Sequence, residues 1–124
     1  MIFISAVLKM AFQERPLSLN DDLIKAANEI NKHAPIIIDS TMRFDNVNAL
    51  SSNVFQYNYT LLTMDKSQVD TNVLKSSGKE SMIQNMKANP NASIFKDNNI
   101  EIQVRYIDKN GIYITATSIY PNEY

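Results

Sequence analysis

Few side chains in this sequence could do chemistry, and their spacing matches no catalytic motif. His33 is the only histidine and cysteine is absent, so one chain cannot supply a two-histidine zinc motif or a cysteine-containing metal site. The two glycines, at positions 78 and 111, are too few for a dinucleotide fingerprint or a phosphate-binding loop. The sequence therefore predicts no metal and no cofactor.

The remaining polar candidates are better explained by secondary structure than by catalysis. His33 follows a predicted helix, where the helix dipole favours a cation, and no serine-type nucleophile motif accompanies it. Asp21 and Asp22 are adjacent at the start of that helix, so they cannot face one point as the two carboxylates of a glycosidase do. Residues 108–111 lack the later acidic ligands of a calcium loop. We predict no catalytic residue and favour a protein that is not an enzyme.

Composition indicates a folded protein without an affinity for nucleic acid. The 124 residues are 44% hydrophobic and 20% charged, which is typical of a single globular domain. We expect an apolar N-terminal segment over 1–17 and a core over 18–120. The formal net charge of −1 provides no positive field to attract a phosphate backbone.

The N-terminal run over 2–12 is apolar apart from Ser5 and Lys9. No basic residue precedes it, so it is not a complete signal peptide, and it is too short to span a bilayer. Three interpretations remain: a helix packed in the core or in a dimer, the tail of an export segment, or an anchor on the membrane surface. A remnant export segment would indicate the periplasm or envelope, and the other readings leave the cytoplasm open.

Periodicity in the first half predicts one helix and two strands. A helix over 19–32 places Leu23, Ala27 and Ile30 on one face. Pro35 prevents its continuation. The isoleucine-rich stretch over 36–44 indicates a strand, and the asparagine- and serine-rich stretch over 45–53 indicates a loop. Residues 55–61 alternate in polarity, as a half-buried strand does.

The second half predicts another helix and a hairpin. The helix begins near Ser67 to Asp70, with a kink or break over 76–78, and ends at Asn89. A half-exposed strand over 100–106 is followed by a tight turn over 108–111 and an antiparallel partner over 112–119.

Together these elements predict an α+β fold, with an antiparallel sheet of about four strands and two or three helices packed on one face. The odd-numbered bulky residues over 55–61 and the even-numbered ones over 100–106 should then share one buried layer.

Eight positions form the pattern A-x-x-I-N, P, D-x-x-x-R and Y-x-Y within 23–118: Ala27, Ile30, Asn31, Pro35, Asp39, Arg43, Tyr57 and Tyr59. In this pattern the chain resembles a group of small uncharacterised bacterial proteins that often begin with an export or anchor segment. The resemblance implies this fold and an envelope location, and it implies no activity.

Two hypotheses for function follow. The first is a bacterial binding or protein-interaction module that self-associates or docks a protein partner through a sheet edge or the N-terminal segment. The alternative is a small-molecule binder or weak hydrolase with a tyrosine-lined pocket. Its candidate ligand-binding residues are Asp39, Arg43, Tyr57, Tyr59 and Tyr106. A salt bridge from Arg43 to Asp39 or Asp45 is the competing explanation for that arginine.

Overall fold

The computed structural model describes residues 19–50, 53–90 and 92–124, so the predicted N-terminal segment over 1–17 lies outside the described residues. Two short 3-10 turns, at Lys66–Gln68 and Pro121–Glu123, accompany the main elements. In chain order these are α1 (Leu19–Asn31), β1 (Ile36–Ile37), β2 (Met42–Leu50), β3 (Val54–Leu61), α2 (Thr71–Ala88), α3 (Ala92–Asp97), β4 (Glu101–Ile107) and β5 (Tyr113–Ile119).

The strands form one open sheet in the order β1-β2-β3-β4-β5. Strands β3 and β4 pair in parallel, whereas every other neighbouring pair is antiparallel. The α+β class is confirmed, but the prediction of about four antiparallel strands is wrong. The reason is that α2 and α3 lie between β3 and β4, and a helical crossover of this length brings the chain back to start β4 beside the start of β3.

The predicted buried layer is confirmed. Phe55 lies opposite Ile102, and the next core pairs along the same two strands are Tyr57 with Val104 and Tyr59 with Tyr106. Because paired residues in adjacent strands point to the same side, the two sets share one face. Helix α1 contacts β2 and α2 contacts β5, and their buried residues belong to the same core as this layer.

The stretch predicted as a loop is mostly strand, because β2 continues through Leu50. Its polar side chains bond across to β3 instead of ending the strand, and a bulge interrupts the pairing between Phe44 and Asn46. Val47, in the middle of this stretch, is fully buried. The cross-strand side-chain bonds are Asp45 with Thr60, Asn46 with Asn58, and Asn48 with Gln56.

Helix α2 is continuous through residues 76–78 and does not break into two helices there. Asp70 caps it by accepting hydrogen bonds from the backbone amides of Asn72 and Val73. Gly78 is buried against β4, and a Cβ at this position would overlap the hydroxyl oxygen of Tyr106. The glycine is therefore explained by close packing of helix on sheet.

The hairpin of β4 and β5 is confirmed. Gly111 has a φ of +80°, in the region that favours glycine. The Asp108 carboxylate accepts hydrogen bonds from the backbone amides of Lys66, Asn110 and Ile112 at 2.8–2.9 Å. These bonds, that from Ile112 above all, lower the pKa of Asp108, so the ionised side chain joins the hairpin to the segment before α2.

None of the helices in the described ranges is long and apolar enough to cross a bilayer. The longest, α2, has 18 residues and buries only Gly78, Met82 and Met86.

Candidate functional site

The core face of the sheet has a closed end and an open end. At the closed end, near the start of β3 and β4, the Phe55 and Phe95 rings meet edge to face with centroids 5.1 Å apart. The Tyr124 hydroxyl donates to the Ile100 carbonyl oxygen at 2.7 Å and covers the same end. At the open end, near the end of these strands, Tyr59 and Tyr106 line a groove.

The groove has a volume of about 720 Å³. Its floor is formed by Tyr59, Val104 and Tyr106, and helix α2 forms one wall. Ile38 and Met42, from the β1–β2 region, complete the lining on the other side. A cavity of this size and composition is in the range of ligand and peptide sites.

The wall formed by α2 carries small residues in its middle. Leu74, Gly78, Ser81 and Asn85 line the groove at spacings of four, three and four residues, which is one face of a helix. Gly78 lets α2 approach the Tyr106 ring closely, and the small exposed side chain of Ser81 leaves the space beside that contact unfilled. The groove therefore follows from residue size on α2, next to a point of close packing.

The floor is aromatic, and its hydroxyl groups are protonated at neutral pH. The Tyr59 and Tyr106 rings stack with centroids 5.7 Å apart and planes 29° apart, and Phe44 packs against Tyr59 at 5.5 Å. Burial raises the pKa of both tyrosine hydroxyls above the ordinary value near 10. The floor can thus offer apolar ring surface together with neutral hydrogen-bonding groups.

The rim of the groove is polar and nearly uncharged. Ser77, Ser81, Gln84 and Asn85 line it from the exposed side of α2. Among the lining residues that the structure describes, Glu80 is the only charged one. The site can therefore accept an apolar group, with a preference for a positive charge at the rim.

Of the five residues predicted to bind a ligand, the structure brings two together at the groove, Tyr59 and Tyr106. Tyr57 is fully buried beneath the helices, and its hydroxyl has no hydrogen-bond partner within the described part of the chain. Asp39 and Arg43 lie outside the groove lining.

Those two polar residues have local structural partners. The Asp39 carboxylate accepts from the backbone amide and hydroxyl of Thr41 and from the backbone amide of Met42. It orders the turn before β2, and these bonds lower the pKa of Asp39. Arg43 pairs with Asp45 and donates to Thr60 at 3.3 Å, on the sheet face opposite the groove. The interpretation of Arg43 as a salt-bridge partner of Asp45 is the one the contacts support.

The groove residues missed from the sequence are those on α2 and in the β1–β2 region. From the sequence alone, Ser77 and Gly78 are only residues that weaken a helix. Their signal was that small residues recur on the helix face that also carries Leu74 and Met82. Ile38 and Met42 carry no local signal, because the turn between them determines their position.

The fold is shared with three solved proteins of distant sequence. A protein of Pseudomonas aeruginosa, PA3611, provisionally described as secreted, superposes with a TM-score of 0.67 at 12% identity, over 87% of this chain and 98% of that chain. The type 2 secretion pilotin EpsS of Vibrio vulnificus gives a TM-score of 0.63 at 10% identity, over 99% and 96% of the two chains. The type II secretion pilotin AspS of Vibrio cholerae gives 0.58 at 13% identity, over 100% and 98%. At these identities the likeness shows a common fold and nothing further.

The sequence itself belongs to the family described as domain of unknown function DUF8479, which matches residues 18–113. A search of curated proteins found no match.

Proposed function

We propose that this protein is an interaction module whose groove docks an apolar segment of a partner protein. The observation that carries the proposal is the groove itself, with an aromatic floor, a wall of small residues and a rim that carries one charge. Apolar grooves of this kind, rimmed by polar residues, are how folded domains bind a helix or an extended peptide.

The dimensions favour a short amphipathic helix as the docked segment. From Leu74 to Asn85 the wall is about 16 Å long at the helical rise per residue, which corresponds to three turns of a facing helix. Such a helix presents apolar residues at positions i, i+4 and i+7, and these would contact Tyr59, Tyr106 and Met42. A lysine or arginine on its flank would lie near Glu80.

The structural neighbours support this proposal and suggest a location. Two of them are pilotins of type II secretion systems, and a third is provisionally described as secreted. By analogy we propose that the partner is a protein of the bacterial envelope. The analogy extends the likeness from fold to role. Identifying the partner that contacts the groove tests this proposed role independently of the analogy.

Site-specific photo-crosslinking in the organism of origin tests the proposal. A photoreactive residue replaces Ser81 in the groove, and the matched variant carries it at Asn48, an exposed residue of β2 outside the groove lining. We expect one adduct, specific to position 81, whose partner peptide is an apolar segment with a neighbouring basic residue. Adducts of equal yield and identity at both positions would contradict docking in the groove.

A second candidate function is the binding of a small aromatic or apolar molecule, which the stacked Tyr59–Tyr106 floor favours. A ligand that binds only the folded protein must raise its melting temperature. A thermal-shift screen distinguishes the candidates: a metabolite that stabilises the wild type but not Ser81→Trp supports the small-molecule reading over the peptide one.

A further inference from the structure

We infer that the outer edge of β5 is a second interaction surface, at which two copies of this chain pair as antiparallel strands. The inference does not depend on the groove. The sheet has two outer edges, one at the β1–β2 side and one at β5. An uncovered edge exposes backbone amides and carbonyls that can pair with another strand.

The edge at β2 is occupied by the chain itself. Strand β1 pairs with Phe44 and Arg43. Further along, the side-chain amide of Asn31 donates to the Val47 carbonyl oxygen and accepts from the Val47 amide, both at 2.8 Å. A side chain thus takes the place that a neighbouring strand would occupy.

Helix α2 contacts β5, but no strand in the described part of the chain pairs with the outer edge of β5. Among the described residues, no backbone hydrogen bond outside the pairing with β4 involves Thr115–Ile119, and no side chain caps their backbone. This stretch contains no charged residue and no proline, the usual devices that prevent edge pairing. The bulge in β5 lies before it, where the register with β4 shifts between Tyr106 and Ile107.

Charge favours a second copy of this chain as the occupant. On the sheet face opposite the core, Arg105 lies opposite Ala116, with its guanidinium over the Tyr113 ring. The Ser118 hydroxyl donates to the Glu101 carboxylate at 2.6 Å. The exposed face of the β4–β5 pair therefore carries Arg105 and Glu101, four residues apart on β4, with Arg105 opposite Ala116 and the Glu101 carboxylate held at Ser118.

One antiparallel register makes these charges complementary. If Thr117 of each copy lies opposite Thr117 of the other, then Ala116 faces Ser118 of the second copy. Arg105 of one copy and Glu101 of the second copy then lie on either side of this Ala116–Ser118 pair. Their long side chains approach to well within the Debye length of about 8 Å. The two-fold axis repeats this pair. If the two-fold axis passed through Ala116 instead, the two Arg105 side chains would lie in one row and their like charges would repel. The charges therefore favour the register centred on Thr117.

Disulfide trapping tests the register, because the chain has no native cysteine. In an antiparallel pair centred on residue 117, the two Thr117→Cys sulfurs fall within bonding distance. The matched Ser118→Cys variant faces Ala116 of the second copy and should not cross-link. We expect oxidised dimer from the first variant only. Equal cross-linking of both variants, or of neither, would overturn the inference.

Sedimentation of the full chain tests the contact without a cross-link. A strand-edge interface is small, so we expect weak self-association, measurable between about 10 µM and about 1 mM. Thr117→Lys places like charges directly opposite and should raise the dissociation constant by at least about fivefold. Thr117→Ser is the control. A wild-type protein that is strictly monomeric at about 1 mM would contradict the inference.

Charge reversal separates self-pairing from loss of the fold. Arg105→Glu and Glu101→Arg should each weaken the dimer, and the double exchange should restore it, while circular dichroism shows that every variant is folded. Restoration requires the two residues to face each other across the dimer. A double variant as weak as the singles would show that the charges do not meet.

Discussion

The same two strands carry a filled core at one end and an open groove at the other. Phe55 and Ile102 are fully buried, and Phe95 of α3 packs against Phe55, whereas Tyr59, further along β3, is only partly buried. In the sequence the two ends have the same pattern, which is a bulky residue at every second position. The difference lies in what packs above them: the Phe95 ring at one end, and at the other a helix face that contacts Tyr106 at Gly78 and leaves the space beside it open at Ser81. Residue size on the facing helix, more than strand pattern, decides whether an apolar face becomes a core or a site.

The largest expected effect is at the closed end. Phe95→Ala removes a fully buried ring from contact with Phe55, and we expect a loss of about 3–5 kcal/mol in the free energy of unfolding. Tyr59→Ala, at the open end, should cost less than half as much because the ring is already partly in contact with solvent. Urea unfolding of both variants measures this. Equal losses would mean that the two ends do not differ in packing.

The next effect concerns the contact that shapes the groove. Gly78→Ala gains helix propensity of up to about 1 kcal/mol, but its Cβ overlaps the Tyr106 hydroxyl. We expect a net loss of about 1–3 kcal/mol, as for other overpacked sites. In a Tyr106→Phe background the loss should shrink, so the double-mutant cycle should give a positive coupling. Ser76→Ala, on the exposed side of the same turn, serves as the control and should be near neutral.

Added volume should be tolerated at the open end only. Ser81→Trp projects a large ring into the groove from an exposed helix position, and we expect a change within about 0.5 kcal/mol of the wild type. Ala92→Phe adds similar volume at the closed end and should cost about 1–3 kcal/mol. Thermal unfolding of both variants is the measurement. A severe loss from Ser81→Trp would show that the groove is not open.

The smallest effect at neutral pH is that of the tyrosine hydroxyls. Burial raises the pKa of Tyr57 and Tyr59 in the folded state, so their contribution to stability is fully present below the unfolded value near 10. It is lost as the pH rises above that value, because only the unfolded state then releases the proton.

We therefore expect a free energy of unfolding that is flat from pH 7 to about pH 9 with respect to these groups and falls above about pH 10. Tyr57→Phe should reduce that fall by the share of one group. It should be neutral or slightly stabilising at pH 7, because no described group accepts or donates to this buried hydroxyl and its removal leaves nothing unpaired. A flat stability profile through pH 11 would be evidence against buried, protonated tyrosines.

Local patterns in the sequence predicted the parts of the fold that depend on local physics. Periodicity predicted helix α1 and the alternating strand over 55–61, and turn chemistry predicted the hairpin turn at Gly111. The parallel pairing of β3 with β4 was missed, since alternation gives the buried face of a strand but not the direction of its neighbour. The stretch over 45–50 was misread because asparagine and aspartate side chains that usually indicate loops instead bond across the sheet.

The site was only partly predictable for a related reason. Tyr59 and Tyr106 were selected by their alternation, but the same rule selected Tyr57, which is fully buried against the rings of Phe44 and Phe55. Gly78 lines the groove where α2 contacts Tyr106 of β4, and Ser81 lines it beside that contact with a small side chain. Only the position of α2 over the sheet reveals this.

Binding of the cross-linked partner segment to purified protein, measured by isothermal titration, tests the central claim most directly. We predict that Ser81→Trp weakens binding by at least about tenfold, since the added ring fills the groove, while the melting temperature is unchanged. Asn48→Trp, outside the groove, should bind as the wild type does. Undiminished binding by Ser81→Trp would contradict the assignment of the groove as the docking site.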